Sequence, residues 1–393
     1  MTSLEHGASL RGWIRPGEVL THIGLPKTGT TALQHALAAA RPALARHHIC
    51  YPGRMSNQWA SGVDLLQVTP QLWPGAGVIA KKGAWQSMVA EVKALPSHWR
   101  HVVSAESLDA AAAAHVDRLV SDLGAVRVVV GVRSLQSLLP SAWQQRVKGG
   151  LDVPLDEWLA DMLDGTADLD AGDRPAALNV DRVVERWSQR VGTENVAVVV
   201  VKGVGRSLLD VFENMLSLEP ATLQISTNPL ARNRGLTVEE ADLLRRFNAR
   251  VDRSVVDFAD YRWSSEQYQR LIQSRPARGA TLTLPQWAVP TVQRIADGHV
   301  KSLSDSGVHI IGDLSDLLPR PVDATLGDAA AAPDPTIEVE LGVDAMVASL
   351  ERHIAERTQP VHPLKRWTPP ALVDPARRIR SAASRTMRRR RPR

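Results

Sequence analysis

Residues 19–31, with the sequence VLTHIGLPKTGTT, constrain the fold of this chain more than any other stretch. The apolar run over 19–23 predicts a buried strand, and Gly24 and Gly29 frame a turn that opens a helix over 30–37. A strand, a glycine-rich turn and a helix N-terminus point several backbone N–H groups at one spot, which suits a phosphate or a sulfate group. The stretch therefore predicts an anion-binding loop at the edge of an α/β sheet.

The glycine spacing of this loop is that of the nucleotide-binding P-loop, GxxxxG, with Thr31 in the Ser/Thr place. One position differs, because Thr30 stands where the P-loop has its lysine, and Lys27 lies two residues before Gly29. The order PKTGTT over 26–31 resembles the 5′-phosphosulfate loop of the sulfotransferases that use 3′-phosphoadenosine 5′-phosphosulfate (PAPS). The resemblance implies that Lys27 reaches the bridging oxygen of the leaving group. It also implies that N–H groups and threonine hydroxyls of the loop hold the 5′-phosphate. The cofactor-binding residues of the loop would then be Lys27, Thr28, Gly29, Thr30 and Thr31.

A second stretch, VRVVVGVR over 126–133, is typical of a strand buried in a parallel sheet, and it ends in Arg133. The next residues, 134–148, have the apolar spacing of a helix, with Ser134 at the N-cap position. Ser141 lies two helical turns after Ser134 and therefore returns to the side of the helix beside Arg133. Arg133 and Ser141 resemble the 3′-phosphate motif of the same family, in which arginine offers a charged, two-pronged donor.

A polar loop over 228–237, NPLARNRGLT, is the third element that the resemblance concerns. The family often closes its 3′-phosphate site with an Arg/Lys-Gly loop, and Arg232, Arg234 and Gly235 resemble that loop loosely. A basic surface turn explains the same residues, so both interpretations stay open. Thr237 is predicted to be the N-cap of the helix that follows.

The residues HVVSAESL over 101–108 predict a short strand that ends just before Glu106. A carboxylate at the carboxyl end of such a strand lies in the crevice where doubly wound sheets bind ligands. Sulfotransferases of the hormone-and-phenol type have a histidine base near this point, and the glycosaminoglycan-modifying branch has a glutamate, which Glu106 resembles. Sulfuryl transfer needs a base for the acceptor proton and cations on the leaving group, roles that suit Glu106 and Lys27. His22 is a second candidate for contact with the acceptor. An alternative interpretation of Glu106 is that its carboxylate has no catalytic role and only stabilises a helix N-terminus.

Two other classes of protein stay open beside a sulfotransferase. A P-loop kinase would transfer phosphate from ATP with magnesium, but Thr30 in the lysine place and Arg133 at a strand end disfavour it. A noncatalytic protein that binds nucleotides or nucleic acid is disfavoured because the candidate site residues cluster at predicted strand ends. We therefore expect an enzyme that moves a sulfuryl group from PAPS to a hydroxyl, leaves adenosine 3′,5′-bisphosphate (PAP) and needs no metal.

The alternation of predicted strands and helices indicates an α/β fold of the P-loop type, with a central, mostly parallel sheet flanked by helices and a helical C-terminal part. We expect a sulfotransferase-like domain over 15–318, with its helical part at about 205–300. An irregular region over 54–85 suits a substrate lid or the wall of a cleft.

The C-terminal residues have a different composition. A Pro- and Ala-rich linker is predicted over 319–337, followed over 338–375 by an extended segment with a short helix. Residues 376–393 hold nine arginines and no acidic residue, so the net charge of +5 becomes −4 when they are subtracted. We expect this basic tail to be disordered. An anionic membrane surface is the partner that it suits, and specific binding of nucleic acid is not expected.

Composition favours a cytoplasmic enzyme of bacterial origin, peripheral at the inner membrane face if the tail binds there. No apolar run approaches the roughly 18 residues of a membrane span, and the first residues lack the pattern of a signal peptide. The single cysteine, Cys50, allows no internal disulfide and no metal cluster. The acceptor is a hydroxyl compound whose class stays open among glycans, glycolipids and small molecules, and the sequence does not indicate an oligomeric state.

Overall fold

The computed structural model describes residues 10–67, 82–164, 176–202, 207–225, 235–273, 279–320 and 336–358. Within these ranges the strands are β1 (Val19–His22), β2 (Ile49–Cys50), β3 (Arg100–Ser104), β4 (Val126–Val132), β5 (Val196–Val200) and β6 (His309–Ile311). The helices of the N-terminal half are α1 (Thr30–Ala39), α2 (Arg41–Arg46), α3 (Trp59–Leu66), α4 (Ala84–Lys93), α5 (Ala113–Leu123), α6 (Leu135–Lys148), α7 (Leu155–Leu163) and α8 (Val180–Val191). Those that follow are α9 (Ser207–Met215), α10 (Val238–Arg250), α11 (Phe258–Gln273), α12 (Val289–Asp305) and α13 (Thr336–Thr358).

The strands form one six-stranded sheet in the order β2-β3-β1-β4-β5-β6, and every neighbouring pair is parallel. The predicted α/β class is thus confirmed, with a sheet that is wholly parallel within the described residues. Because β1 lies between β3 and β4, the residues that follow these three strands meet at one edge of the sheet. Those residues are the loop after His22, Glu106 and Arg133, and the topology therefore explains why three distant segments share a crevice.

The sheet is covered by helices, which explains why its strands are almost continuously apolar. Helices α1, α2 and α9 bury their apolar side chains against the sheet in one hydrophobic cluster. Helix α8 contacts β4 and β5 and packs beside α5, and its buried side chains lie outside that cluster. All seven residues of β4 are buried as a result.

The region over 54–85, predicted to be irregular, contains a helix, so that prediction was wrong in part. Helix α3 occupies Trp59–Leu66, and residues 68–81 lie outside the described residues. The helix packs closely on the segment after β3, since a Cβ on Gly62 would lie 3.2 Å from the Cβ of Ala105. A short apolar helix with a glycine on its contact face gives a weak periodic signal, because eight residues span barely two turns.

Beyond residue 320 the structure describes residues 336–358, which form α13. Most of the predicted linker and all of the basic tail lie outside the described residues. Contacts divide the chain into a first unit that ends at Ala348 and a second that begins at Ser349, and the sheet belongs to the first. No helix in the described ranges combines the length and the apolar character needed to cross a membrane.

Candidate active site

The loop between β1 and α1 is a tight turn packed against β4. Its backbone has positive φ at three residues, Gly24 (96°), Lys27 (68°) and Gly29 (92°). Leu25 N–H donates to the carbonyl of Gly131, and Gly131 N–H donates back to Gly24, so the loop begins as an extension of the sheet. Gly131 lets the loop approach this closely, because a Cβ there would lie 2.7 Å from Thr28 Oγ1.

The second half of the loop presents a row of backbone donors. Over Lys27–Ala32, no backbone N–H group has a hydrogen-bond acceptor within the part of the chain that the structure describes. Gly29 occupies the N-cap position of α1 and offers no side chain to satisfy these groups. Successive unpaired N–H groups at the positive end of a helix dipole form a cradle for an anion.

The threonine hydroxyls of the loop have different environments. Thr28 is fully buried, and its Oγ1 donates to the carbonyl of Leu25 at 2.5 Å, so its hydroxyl is bonded within the loop. Thr30 is also buried and donates its hydroxyl to Glu106 Oε2 at 2.9 Å. Thr31 is exposed at the start of α1. Thr28, Thr30 and Thr31 were all predicted to bind the 5′-phosphate through their hydroxyls. Among the described residues, Thr31 is the one of the three whose hydroxyl has no partner in the protein.

Lys27 lies across this loop from two polar side chains. Its Nζ donates to Gln145 Oε1 of α6 at 2.9 Å. Burial lowers the pKa of Lys27, and the negative charge of Glu106 opposes that shift. The lysine thus lies close enough to Glu106 for their charges to interact.

Glu106 begins a 3-10 helix, Glu106–Ala110, immediately after β3 and Ala105. Gly24 of the loop lies against it, since a Cβ on Gly24 would lie 3.4 Å from the Cβ of Glu106. One carboxylate oxygen accepts the hydrogen bond of Thr30, and the other has no protein donor among the described residues. Glu106 is half-buried, so the second oxygen is available to a ligand.

The end of β3 just before Glu106 is fixed by two glutamines. Ser104 N–H donates to Gln58 Oε1 at 2.7 Å, and the Ser104 carbonyl accepts from Gln34 Nε2 at 3.1 Å. Gln34 belongs to α1 and Gln58 precedes α3. The two helices that flank Glu106 therefore both hold the strand that positions it.

His22, the second candidate for contact with the acceptor, is fully buried. Its Nδ1 lies 2.9 Å from Ser104 Oγ, and its ring packs edge-on against Phe212 of α9. Burial lowers the pKa of His22 to about 3, so the ring is neutral. A histidine with no exposed surface cannot meet an acceptor in this conformation, and the geometry therefore favours Glu106 over His22.

Arg133 follows β4 and points back at the loop, where its Nη1 lies 3.4 Å from the carbonyl of Lys27. Ser134 holds the N-cap position of α6, but its buried hydroxyl makes no hydrogen bond within the described residues. Ser141 is half-buried, and its hydroxyl likewise has no partner among them. Gln145, which binds Lys27, is one helical turn beyond Ser141 and on the same face of α6. This face of α6 therefore borders the loop.

The third predicted element is described only at its end. Arg232 and Arg234 lie outside the described residues, and Gly235 is the first residue after that gap. Gln144 of α6 binds both polar groups of Leu236, accepting from its N–H at 2.8 Å and donating to its carbonyl at 3.3 Å. Gly235 thus reaches the helix that carries Ser141, while the role of the two arginines stays a prediction.

Three residues of this site were missed by the sequence reasoning. Gln145 follows Ser141 by one turn, and Gly131 interrupts a valine-rich strand, which are both readable signals. Asp109 lies three residues after Glu106 on the same 3-10 helix. No group of three or more His, Cys, Asp or Glu side chains suited to a metal ion exists among the described residues.

Comparison with known proteins gives one distant likeness. No protein-family model and no curated protein matches this chain. Among solved structures, it is similar to the crystal structure of a sulfotransferase from Alicyclobacillus acidocaldarius, with 13% sequence identity and a TM-score of 0.37. The likeness covers 67% of this chain and 97% of that chain. A likeness this distant does not bear on the activity of the present chain.

Proposed function

We propose that this protein is a sulfotransferase that moves the sulfuryl group of PAPS to a hydroxyl of an acceptor. The observation that carries the proposal is the arrangement of Lys27, Glu106 and Arg133 around one loop of unpaired N–H groups. An anion cradle, a cation for the leaving group and a carboxylate within reach of both are the parts that sulfuryl transfer to a hydroxyl needs.

In the proposed reaction Glu106 takes the proton of the acceptor hydroxyl. The acceptor oxygen forms a bond to sulfur while the bond from sulfur to the 5′-phosphate oxygen breaks, and PAP leaves with the electron pair. Lys27 neutralises the charge that develops on the leaving oxygen, and the N–H groups over 27–32 bind the 5′-phosphate. Arg133 and Ser141 are proposed to bind the 3′-phosphate, since Arg133 lies against the loop and Ser141 is one helical turn from Gln145, which binds Lys27.

A kinase is the weaker proposal for the same loop. In a P-loop kinase the lysine follows the second glycine, whereas Thr30 stands there and binds Glu106. The cation of this site instead comes from Lys27, on the turn before Gly29, where it also contacts α6. The side chains around the loop therefore match a transfer in which the cation serves the leaving group.

The acceptor and the membrane partner of this protein are also proposals. We propose a hydroxyl-bearing acceptor such as a glycan, a glycolipid or a small molecule, and an anionic membrane surface for the basic tail over 376–393. A cytoplasmic enzyme attached to the inner membrane face would meet both. Deletion of 376–393 is expected to reduce binding to anionic vesicles without changing the affinity for PAP.

The function is tested by following the radiolabelled sulfuryl group of PAPS into a panel of hydroxylated glycans, glycolipids and phenols. The expected result is label in at least one acceptor with wild-type protein and none with Lys27→Ala. Lys301→Ala, which removes an exposed lysine of α12, is the matched control and should transfer label normally. Transfer of labelled γ-phosphate from ATP with magnesium, and no transfer from PAPS, would overturn the proposal in favour of a kinase.

A further inference from the structure

The two opposite charges beside the loop, Lys27 and Glu106, form no ion pair with each other. The Nζ of Lys27 donates to Gln145 Oε1 at 2.9 Å, and the Oε2 of Glu106 accepts from the hydroxyl of Thr30 at 2.9 Å. Among the described residues, Gln145 is the one hydrogen-bond partner of the Lys27 ammonium group. Each charge is therefore held by a neutral side chain, although the two charges are close enough to interact.

Gln145 belongs to a turn of α6 that is fixed by its neighbours. Gln144 is buried and binds both polar groups of Leu236. Asn248 of α10 is also buried, and its amide donates to the carbonyl of Val147 at 2.8 Å. The side chain of Gln145 is exposed, but these bonds hold the backbone on either side of it. Its amide oxygen is therefore an acceptor that the fold places beside the loop.

A direct ion pair between Lys27 and Glu106 would oppose sulfuryl transfer. A carboxylate bound to an ammonium group is a weaker base, and a lysine paired with a carboxylate offers less net charge to a leaving oxygen. The ion pair would also stabilise the empty site more than the reacting one, which raises the barrier of the reaction. A neutral amide oxygen orients the ammonium group and leaves its net charge unchanged.

We propose that Gln145 is a positioning residue that holds the ammonium group of Lys27 away from Glu106, so that the site keeps an unpaired cation beside an unpaired base. The inference rests on the proposed function for its meaning in catalysis, whereas the separation of the two charges does not depend on it. When the amide of Gln145 is removed, the ammonium group loses its acceptor and turns to the opposite charge of Glu106.

The separation of the charges is tested without any ligand, by crystal structures of wild type and Gln145→Met. Methionine keeps the length of the side chain, and its thioether is only a weak acceptor. In Gln145→Met, Lys27 Nζ is expected to move to within about 4 Å of a Glu106 carboxylate oxygen. The control Gln189→Met, at an exposed glutamine of α8, should keep the wild-type arrangement. An unmoved Lys27 in Gln145→Met, or a Lys27–Glu106 ion pair in wild type, would overturn the inference whatever the enzyme does.

The consequence for the site is tested by PAP affinity in wild type, Gln145→Met, Glu106→Gln and the double variant. Gln145→Met should weaken PAP on the order of tenfold, because Lys27 must leave Glu106 before it contacts the phosphate. The double variant should bind PAP nearly as wild type does, since no carboxylate then captures the lysine. A double variant as weak as Gln145→Met would show a merely structural role and overturn the inference. PAP that fails to bind wild type would contradict the proposed function instead, and the ligand-free structures would still decide the inference.

Discussion

Thr30 Oγ1 donates a hydrogen bond to Glu106 Oε2 at 2.9 Å, and this bond joins the first residue of α1 to the first residue of the 3-10 helix after β3. The helix N-terminus that is proposed to bind the 5′-phosphate therefore also orients the proposed base. One carboxylate oxygen of Glu106 is held while the other stays available to the acceptor. The positions of donor and base are thus coupled through one side chain.

Thr30→Val, which keeps the shape of the side chain and removes the hydroxyl, should lower kcat because Glu106 loses its orientation. A hydrogen bond to a charged group contributes ~1.5–3 kcal/mol, so the expected loss is about 10- to 100-fold. Thr30→Ser keeps the hydroxyl and should retain most of the activity. Steady-state kinetics with PAPS and the acceptor found by label transfer measure both, and equal rates for the two variants would contradict this role of Thr30.

Glu106→Gln should abolish the base while it keeps the shape of the site. General-base catalysis contributes about 10²–10⁴-fold, so kcat should fall by about that factor while PAP affinity stays near that of wild type. Glu157→Gln, at an exposed glutamate of α7, is the matched control and should be silent. Normal turnover in Glu106→Gln would remove this residue from the mechanism.

Gly131→Ala should disturb the phosphate loop from the neighbouring strand. The new Cβ would lie 2.7 Å from Thr28 Oγ1 and 3.1 Å from Thr28 Cβ, and such overpacking costs about 1–3 kcal/mol. We expect a lower free energy of unfolding and weaker PAP binding. Gly298→Ala, in α12 with nothing within 4 Å of the new Cβ, should instead stabilise the protein by roughly 0.5–1 kcal/mol. The comparison is made by chemical denaturation, and a neutral Gly131→Ala would show that the loop tolerates displacement.

His22 predicts how stability depends on pH. Its folded-state pKa of about 3 lies below the ordinary 6.5, so the unfolded chain binds more protons between these values. The free energy of unfolding should fall as the pH drops below about 6.5, by up to ~1.4 kcal/mol per pH unit from this side chain. His22→Asn, which preserves a polar atom for Ser104, should reduce that slope, and His35→Asn should keep it. Denaturation at pH 5 and pH 7 measures the difference, and an unchanged slope in His22→Asn would contradict the burial of a neutral ring.

Much of the fold could be predicted because its signals are local. Valine-rich strands such as β4 and β5 are apolar throughout since both faces are covered, and glycines mark the turn after β1. Thr237 is the N-cap of α10 as predicted. Its Oγ1 accepts from the N–H of Glu240, and Glu240 Oε2 accepts from the N–H of Thr237. Such pairs lie three residues apart and need no tertiary information.

The features of the site that the sequence does not predict depend on contacts between distant segments of the chain. Whether Thr30 faces a phosphate or Glu106 is decided by the parallel pairing of β1 with β3, which brings Thr30 to Glu106 although the two residues lie 76 positions apart. The burial of His22 depends on Phe212 of α9, and no sequence pattern around His22 predicts that contact. The raised pKa of Asp109 likewise depends on burial and on the charges of Glu106 and of Arg186, which lies on α8, the fourth helix after Asp109.

Isothermal titration calorimetry of PAP and AMP in the presence of EDTA tests the proposed donor site most directly. We expect PAP to bind without magnesium and much more tightly than AMP, because Arg133 and Ser141 add contacts to a 3′-phosphate. Arg133→Ala should weaken PAP by the ~1.5–3 kcal/mol of a charge-assisted contact and leave AMP nearly unchanged, whereas the exposed-arginine control Arg182→Ala should alter neither. Equal affinity for PAP and AMP, or an absolute requirement for magnesium, would contradict a PAPS-dependent sulfotransferase.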